Sequence, residues 1–417
     1  MLDRDIRHKI QDALEQYPVV SVTGPRQCGK TTLLKSMLPN WKYISLEDPD
    51  VRELALSDPR EFLRLHADHV ILDEAQRAPE LFSYLQGAVD RTGRPGQFVI
   101  SGSQNYLLMK SVTQTLAGRV AVIRMSTLTR HEIMAGSPED LARPDKGGNL
   151  LDESIEDRWS WIVIGGYPRL YDYGMSYARY FADYLATYLE RDVREELGVI
   201  KLAEFERFIG LCATRTAEML NVSSLASDAG VDVKTARGWI SALEAGGILF
   251  ELHPHHANIG KRLVKTPKLY FYDTGLACAL LGIHTVDELL AYDKRGNLFE
   301  TAVVAEYLKC AATQDDQHQT TYYKKSSNSS EVDLVVERGV RPAYAFEIKS
   351  SSTYKEKFFG TIVTLGDELG IPPQHRGVIY NGSASFNADG RGMLLTPDDM
   401  MSIADETIFL SLPKSME

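Results

Sequence analysis

The stretch Gly24-Pro25-Arg26-Gln27-Cys28-Gly29-Lys30-Thr31 constrains this chain more than any other part of it. It matches GxxxxGK[ST], follows the apolar run VVSVT and opens the helical run TTLLKSML. A strand that breaks into a glycine-spaced loop and resumes as a helix aims backbone N–H groups and a helix N-terminus at one point. That point suits a phosphate. Gly24 and Gly29 let the backbone turn inward, so that Pro25, Arg26, Gln27 and Cys28 wrap the anion. Lys30 is expected to reach the β- and γ-phosphates of ATP and the Thr31 hydroxyl to ligate Mg²⁺, with Thr32 completing the cofactor-binding set.

A second element supports the first. His69-Val70-Ile71-Leu72-Asp73-Glu74 is an apolar strand ending in two carboxylates. Asp73 is expected to hold the metal shell, and Glu74 to polarise the attacking water. A third strand, QFVIS, runs into Gly102-Ser103-Gln104-Asn105. Gln104 or Asn105 is expected to sense the γ-phosphate or the water; a helix-capping role is the alternative. The runs VVSVT, YISL, HVILD, QFVIS and VAVIRM alternate with helical stretches, which predicts a parallel sheet with helices on both faces.

Composition bounds the rest. A chain of 417 residues exceeds one ordinary core and suggests about two to four domains. No run of about 18 apolar residues exists, so no membrane span is expected. The opening MLDRDIRHKIQDAL reads as an amphipathic helix without an apolar signal core, and the four cysteines form no CxxC pair. A cytoplasmic protein is the expectation. The formal net charge of -11 argues against bulk coating of nucleic acid, while leaving room for a local basic groove.

GPRQCGKTTLL, VILDEAQ, ISGSQNYLL and LAGRV together resemble the bacterial and archaeal AAA-type P-loop ATPases (AAA_14) in which the module precedes a DUF4143 region. The resemblance continues through GGYPRL, LERDV and FE…EVDLVV…FEIK. It implies an α/β multidomain protein: an AAA+ parallel sheet with a helical lid, a winged helix-turn-helix, and a C-terminal α/β restriction-endonuclease-like domain. The corresponding spans are 1–125, 126–200, 201–282 and 283–417. It also implies that Arg119 acts as a finger on a neighbouring subunit's ATP, which requires a homo-oligomer, a hexamer being one candidate size. A surface arginine pairing with a helix end is the alternative. Arg169 in GGYPR is a lid-sensor candidate.

Within the third span, LASDAGVD followed by KTARGWISALEAGGILFEL has helix-turn-helix spacing, with Lys234, Thr235 and Arg237 facing outward. Strand-like GILFELH and PKLYFYD would form a wing around a connection carrying Lys261 and Arg262. From Asp232 to Lys268 there are six basic residues (Lys234, Arg237, Lys261, Arg262, Lys265, Lys268) against three acidic (Asp232, Glu244, Glu251). Such a face is expected to bind a DNA backbone, with a protein-interaction module as the alternative. His253, His255, His256 and His284 lack zinc-ligand spacing and read as loop histidines.

In the last span, Glu300 sits on a helix, Asp333 on the strand EVDLVVE, and Glu347 with Lys349 on the strand AYAFEIK. Residues i and i+2 of a strand share a face, so Glu347 and Lys349 project together. Asp333, Glu347 and the Ile348 carbonyl would bind Mg²⁺ or Mn²⁺, Lys349 would orient or deprotonate water, and Glu300 would complete the shell. Tyr323, Lys324 and Lys325 are candidate backbone contacts. The set resembles the PD-(D/E)xK nucleases, with a spacing similar to that of archaeal Holliday-junction resolvases, although Val332 stands where that motif has proline. Strand-edge charges, or a fold that binds DNA and cuts poorly, are the alternatives.

Two functions follow as expectations. One is an ATP-dependent DNA-processing motor, a helicase or branch-migration protein of DNA repair, whose tail acts on branched or single-stranded DNA. The other is an ATP-gated regulatory switch with a winged-helix interaction module and an inactive nuclease-like scaffold.

Overall fold

The computed structural model describes residues 2–103, 115–136, 157–173, 175–188, 201–255, 266–314, 319–324, 330–388 and 390–411. They fall into two compact units: Leu2–Leu128 with Ala242–Ile248, and Thr129–Ser241 with Leu249–Glu417.

Apolar alternation builds the first unit. Its strands are β1 (Val19–Gly24), β2 (Lys42–Ser45), β3 (Val70–Asp73), β4 (Phe98–Ser103) and β5 (Val120–Arg124). They pair in the order β2-β3-β4-β1-β5, all in parallel. Successive residues of one strand point to opposite faces. Val70, Leu72, Phe98 and Ile100 therefore pack with Phe62, Leu81, Phe82 and Leu85 in one cluster. Ile71, Val99, Val20 and Val22 pack with Ile6, Ile10, Leu33 and Leu34 in another. Each face has its own core, and β1 and β3 are buried along their whole length, as central parallel strands require.

The stretches 129–200, 201–241, 249–282 and 283–417 all lie in the second unit. Helix Val222–Ala229 ends at Gly230, whose φ of 78° is left-handed, and helix Val233–Ala245 follows. Strands β6 (Glu218–Met219), β7 (Leu249–Leu252) and β8 (Lys268–Phe271) form an antiparallel sheet in the order β6-β8-β7. A six-stranded sheet then contains β9 (Gln319–Lys324), β10 (Glu331–Arg338), β11 (Arg341–Lys349), β12 (Arg376–Tyr380), β13 (Phe386–Ala388) and β14 (Gly392–Leu395). Its order is β13-β14-β12-β11-β10-β9, with β11, β12 and β14 mutually parallel. Helix Phe359–Leu369 covers one face, setting Ile362 and Leu365 against Val332, Val335, Ala345, Val378 and Leu394.

GGYP proves to be a packing junction. Added Cβ atoms would lie 2.4 Å from the Ile164 carbonyl at Gly275 and 2.2 Å from Asp273 Oδ1 at Gly165. Asp273 caps helix Thr274–Leu280 and accepts from Gly166 N at 2.9 Å.

A buried acid marks the long helix Arg295–Thr313. Glu306 accepts from Arg130 N at 2.6 Å and from the Cys310 thiol at 3.6 Å, while its Oε2 is buried without a partner among the described residues. Burial pushes its carboxyl up to about 7, even though the Lys309 charge and the Arg130 N–H pull the other way; Glu132 adds to the rise. The folded chain therefore holds this proton more tightly than the unfolded chain, so stability falls as pH climbs from about 4.5 towards 7. Glu306→Gln should be more stable than the parent by up to about 3 kcal/mol near pH 8, an advantage that vanishes near pH 4. Denaturant melts at both pH values check this, and equal stabilities at pH 8 would contradict it.

Candidate functional site

Strand β1 runs out at Gly24, where a Cβ would stand 2.1 Å from the Met125 carbonyl and 3.2 Å from Cys28 Sγ. No side chain fits there. Gly29, with φ 94°, leads into helix Lys30–Met37, and Gln27 also takes a left-handed φ of 61°. Lys30 Nζ donates to the carbonyls of Gly24 and Pro25, both at 2.9 Å, and so closes the loop on itself. Arg4 supports the loop from behind, donating to the Cys28 and Ser126 carbonyls at 2.8 Å each. Arg26 and Thr31 are half-buried, Gln27 and Thr32 exposed.

Asp73, at the end of β3, is only 5% exposed. Its Oδ2 accepts from Thr31 Oγ1 at 2.8 Å and Tyr43 Oη at 2.7 Å, and its Oδ1 from Ser101 Oγ at 2.5 Å and Glu74 N at 3.1 Å. Burial pulls this carboxyl up, but the bonds from Ser101, Tyr43 and Thr31 outweigh it, and the net shift is downward. The carboxylate and the adjoining Thr31 hydroxyl are hard oxygen donors and fit Mg²⁺. Glu74 sits at φ 52°, ψ 43° and accepts from the Gln76 amide. Register pairs Ser103 with Gly24; Gln104 and Asn105 lie outside the described residues. Arg119 precedes β5 and binds Asp90 with two nitrogens, Nη2 to Oδ2 at 3.0 Å. Tyr43, Ser101 and Arg4 were not legible as site residues, because only tertiary contact brings them here.

In the second unit, Glu300, Asp333, Glu347 and Lys349 form one cluster, and Lys268 joins it at Glu300 and Asp333. Lys268, counted above with the basic residues of the hairpin, is buried instead. Its Nζ lies 2.9 Å from Glu300 Oε1, in contact with Glu331 and 3.9 Å from Asp333 Oδ1. Tyr270 Oη donates to the same Glu300 oxygen at 2.6 Å. Asp333 Oδ2 accepts from Ile348 N at 2.8 Å, and Glu347 pairs with Lys349 while its Oε2 is buried without a partner among the described residues. Burial, then Glu300 and Glu347, raise the Asp333 carboxyl far above the usual range. Burial alone would lower the Lys268 ammonium, but Glu300, Asp333 and Glu331 outweigh it and raise it. Among the described residues no three His, Cys, Asp or Glu side chains form a group that could hold a metal. This arrangement does not fit a metal shared by Glu300, Asp333 and Glu347.

On helix Val233–Ala245, Lys234 and Arg237 are exposed, with Arg237 donating to Glu251 at 3.2 Å. Thr235 is half-buried and donates from N and Oγ1 to Asp232 at 2.9 and 2.7 Å, which spends its hydroxyl on capping. Lys261, Arg262 and His256 lie outside the described residues, as do the side chains of Lys324 and Lys325. Tyr323 is half-buried and Arg169 exposed. His255 is buried against Glu337, Nδ1 to Oε1 at 2.8 Å.

An AAA domain matches residues 16–134. Two domains of unknown function, DUF8612 and DUF4143, match 155–287 and 295–397. The uncharacterized proteins Mb2031c of Mycobacterium bovis and Rv2008c of Mycobacterium tuberculosis are each 34% identical over 358 residues, covering 84% of this chain and 74% of theirs. The chain belongs to their family. Its first unit is a P-loop ATPase of the AAA type, with Thr31 and Asp73 hydrogen-bonded at one end of its sheet. Among solved structures, the chain is similar to the Walker-type ATPase PABY2304 of Pyrococcus abyssi (16% identity, TM-score 0.44, covering 67% of this chain and 96% of that one). It is also similar to the RuvB Holliday junction branch migration motor of Thermotoga maritima (19%, 0.33, 60% and 89%). No described helix is long and apolar enough to cross a membrane.

Arg4→Met should leave two loop carbonyls without their donor, lowering stability by about 1–3 kcal/mol. It should also weaken ATP binding, whereas Arg7→Met, which removes only the exposed pair with Asp3, should change neither. Melting curves and nucleotide titration check both variants; unchanged ATP affinity in a destabilised Arg4→Met would limit Arg4 to a folding role.

Proposed function

We propose that this chain is a cytoplasmic, ATP-dependent DNA-processing protein: ATP turnover in the AAA unit drives work on DNA held by the second unit. The observation that carries the chemical half is the 2.8 Å contact between Thr31 and an Asp73 kept anionic by its donors. Lys30 exchanges its two loop carbonyls for phosphate oxygens. Thr31 and Asp73 hold Mg²⁺, which neutralises charge on the phosphates when bound. Glu74, once released by Gln76, orients the attacking water. Arg119 leaves Asp90 to meet a neighbouring subunit's γ-phosphate, so turnover requires a homo-oligomer.

The DNA half rests on the helix pair Val222–Ala229 and Val233–Ala245 followed by the β7–β8 hairpin, read as a winged helix. Lys234 and Arg237 are exposed on its second helix and would contact the phosphate backbone. The C-terminal sheet is read as a nuclease-like domain that grips branched or single-stranded DNA. Lys268 among the carboxylates favours a second reading, a nucleotide-gated switch with an inactive nuclease-like scaffold.

The test measures ATP turnover and binding with a four-way junction, duplex or single strand. At least one DNA should stimulate turnover, and Lys30→Ala should abolish it. Arg119→Ala should leave ATP affinity nearly intact while turnover drops by about 10³-fold or more. Absence of DNA binding at low salt, with turnover indifferent to every DNA, would leave only the switch.

A further inference from the structure

Strand β4 runs between β3 and β1, and its last residues stand beside the acid that ends β3. Val70, Ile71 and Leu72 pair with Phe98, Val99 and Ile100, so the next residues in step are Asp73 and Ser101. Side chains two apart on a strand share a face. Asp73 therefore follows Ile71, and Ser101 follows Val99, onto the face packed by Leu33 and Leu34 of the phosphate-loop helix. A serine in that apolar place has a hydroxyl to satisfy. Ser101 is fully buried, and its Oγ donates to Asp73 Oδ1 at 2.5 Å.

The two oxygens of Asp73 are held for different ends. Oδ2 meets Thr31, the other hard oxygen donor of the site, at 2.8 Å. Oδ1 takes Ser101 Oγ and, at 3.1 Å, the backbone N of Glu74. The last torsion of an aspartate is broad and roughly two-fold, so the residue type alone does not choose which oxygen meets Thr31. The Glu74 amide belongs to the same strand end as Asp73, whereas Ser101 supplies its bond from a separate strand. Ser21 offers a contrast. It lies on β1 beside Ile100 in register, is buried to the same degree, and its Oγ has no partner among the described residues. A buried hydroxyl on this sheet is thus not by itself part of the site; the one on Ser101 is.

We propose that Ser101 is a positioning residue for magnesium-dependent ATP binding: its bond to Oδ1 orients the Asp73 carboxylate so that Oδ2 meets Thr31. The proposal rests on the reading of Thr31 and Asp73 as the Mg²⁺ site of the ATPase unit. Ser101 acts only through Asp73. Without its hydroxyl, a buried carboxylate oxygen loses a charge-assisted donor, and the carboxylate settles where its remaining donors allow.

ATP titrations of the full chain, in excess Mg²⁺ and in EDTA, test this, because the ratio of the two affinities reports what the metal contributes. Ser101→Ala should lose about tenfold of that ratio, with affinity in EDTA changed by less than about twofold. Ser101→Thr, which keeps the hydroxyl, should keep the parent's ratio. Ser21→Ala makes the same substitution on β1 and should change neither affinity. Melting curves establish that each variant is folded. Should Ser101→Ala not fold, Ser101→Cys takes its place with the same expected loss, since a thiol nearly fills serine's space and donates only weakly. The parent's ratio in the folded alanine or cysteine variant would overturn the proposal. So would an equal loss of affinity in EDTA, which would make Ser101 a support of the loop, or a loss shared by Ser101→Thr, which would make space and not the hydroxyl decisive. A parent whose ATP affinity ignores Mg²⁺ would instead overturn the metal reading of Asp73 itself.

Discussion

The nucleotide unit depends on one buried negative charge. Burying an unpaired carboxylate is prohibitively unfavourable, and burying one with enough donors is not. Asp73 receives its donors from four places: Thr31 at the start of the phosphate-loop helix, Tyr43 on β2, Ser101 on β4, and its own successor Glu74. Those bonds join three adjacent strands and the helix at one end of the sheet. The site is thereby preorganised by the same contacts that make the charge tolerable. Arg4 works in the same manner on the loop, tying the Cys28 and Ser126 carbonyls together from the N-terminal segment.

How much of this was legible depended on locality. The phosphate loop, the β3 carboxylates and the alternating strands could be read because their signals lie within about ten residues of chain. The strands carrying Asp333 and Glu347 were legible for the same reason: EVDLVVE and AYAFEIK show strand periodicity and form β10 and β11. Tyr43 and Ser101 were not, since a tyrosine and a serine in apolar strands carry no spacing that points to Asp73. Lys268 was misread outright. Counted by charge, it belonged to a basic hairpin; only the packing of β8 beside helix Arg295–Thr313 reveals that its partners are Glu300 and Glu331. Thr235 was misjudged on a smaller scale, because its pairing with Asp232 is a helix cap before it is a surface contact.

The two acidic sites show why carboxylates alone do not define a metal centre. Around Asp73 the compensating groups are hydroxyls and an amide, neutral donors that hold the charge without cancelling it. A divalent ion arriving there meets a full negative charge and can replace the Thr31 and Tyr43 hydrogen bonds with stronger ones. Around Asp333 the nearest opposite charge is an ammonium 3.9 Å away, yet burial and the Glu300 and Glu347 charges still raise that carboxyl far above its usual range. Opposite consequences follow from similar degrees of burial. Neutral donors aimed at its oxygens lower the one carboxyl, while neighbouring carboxylates raise the other, so only the first is ready for a cation as folded.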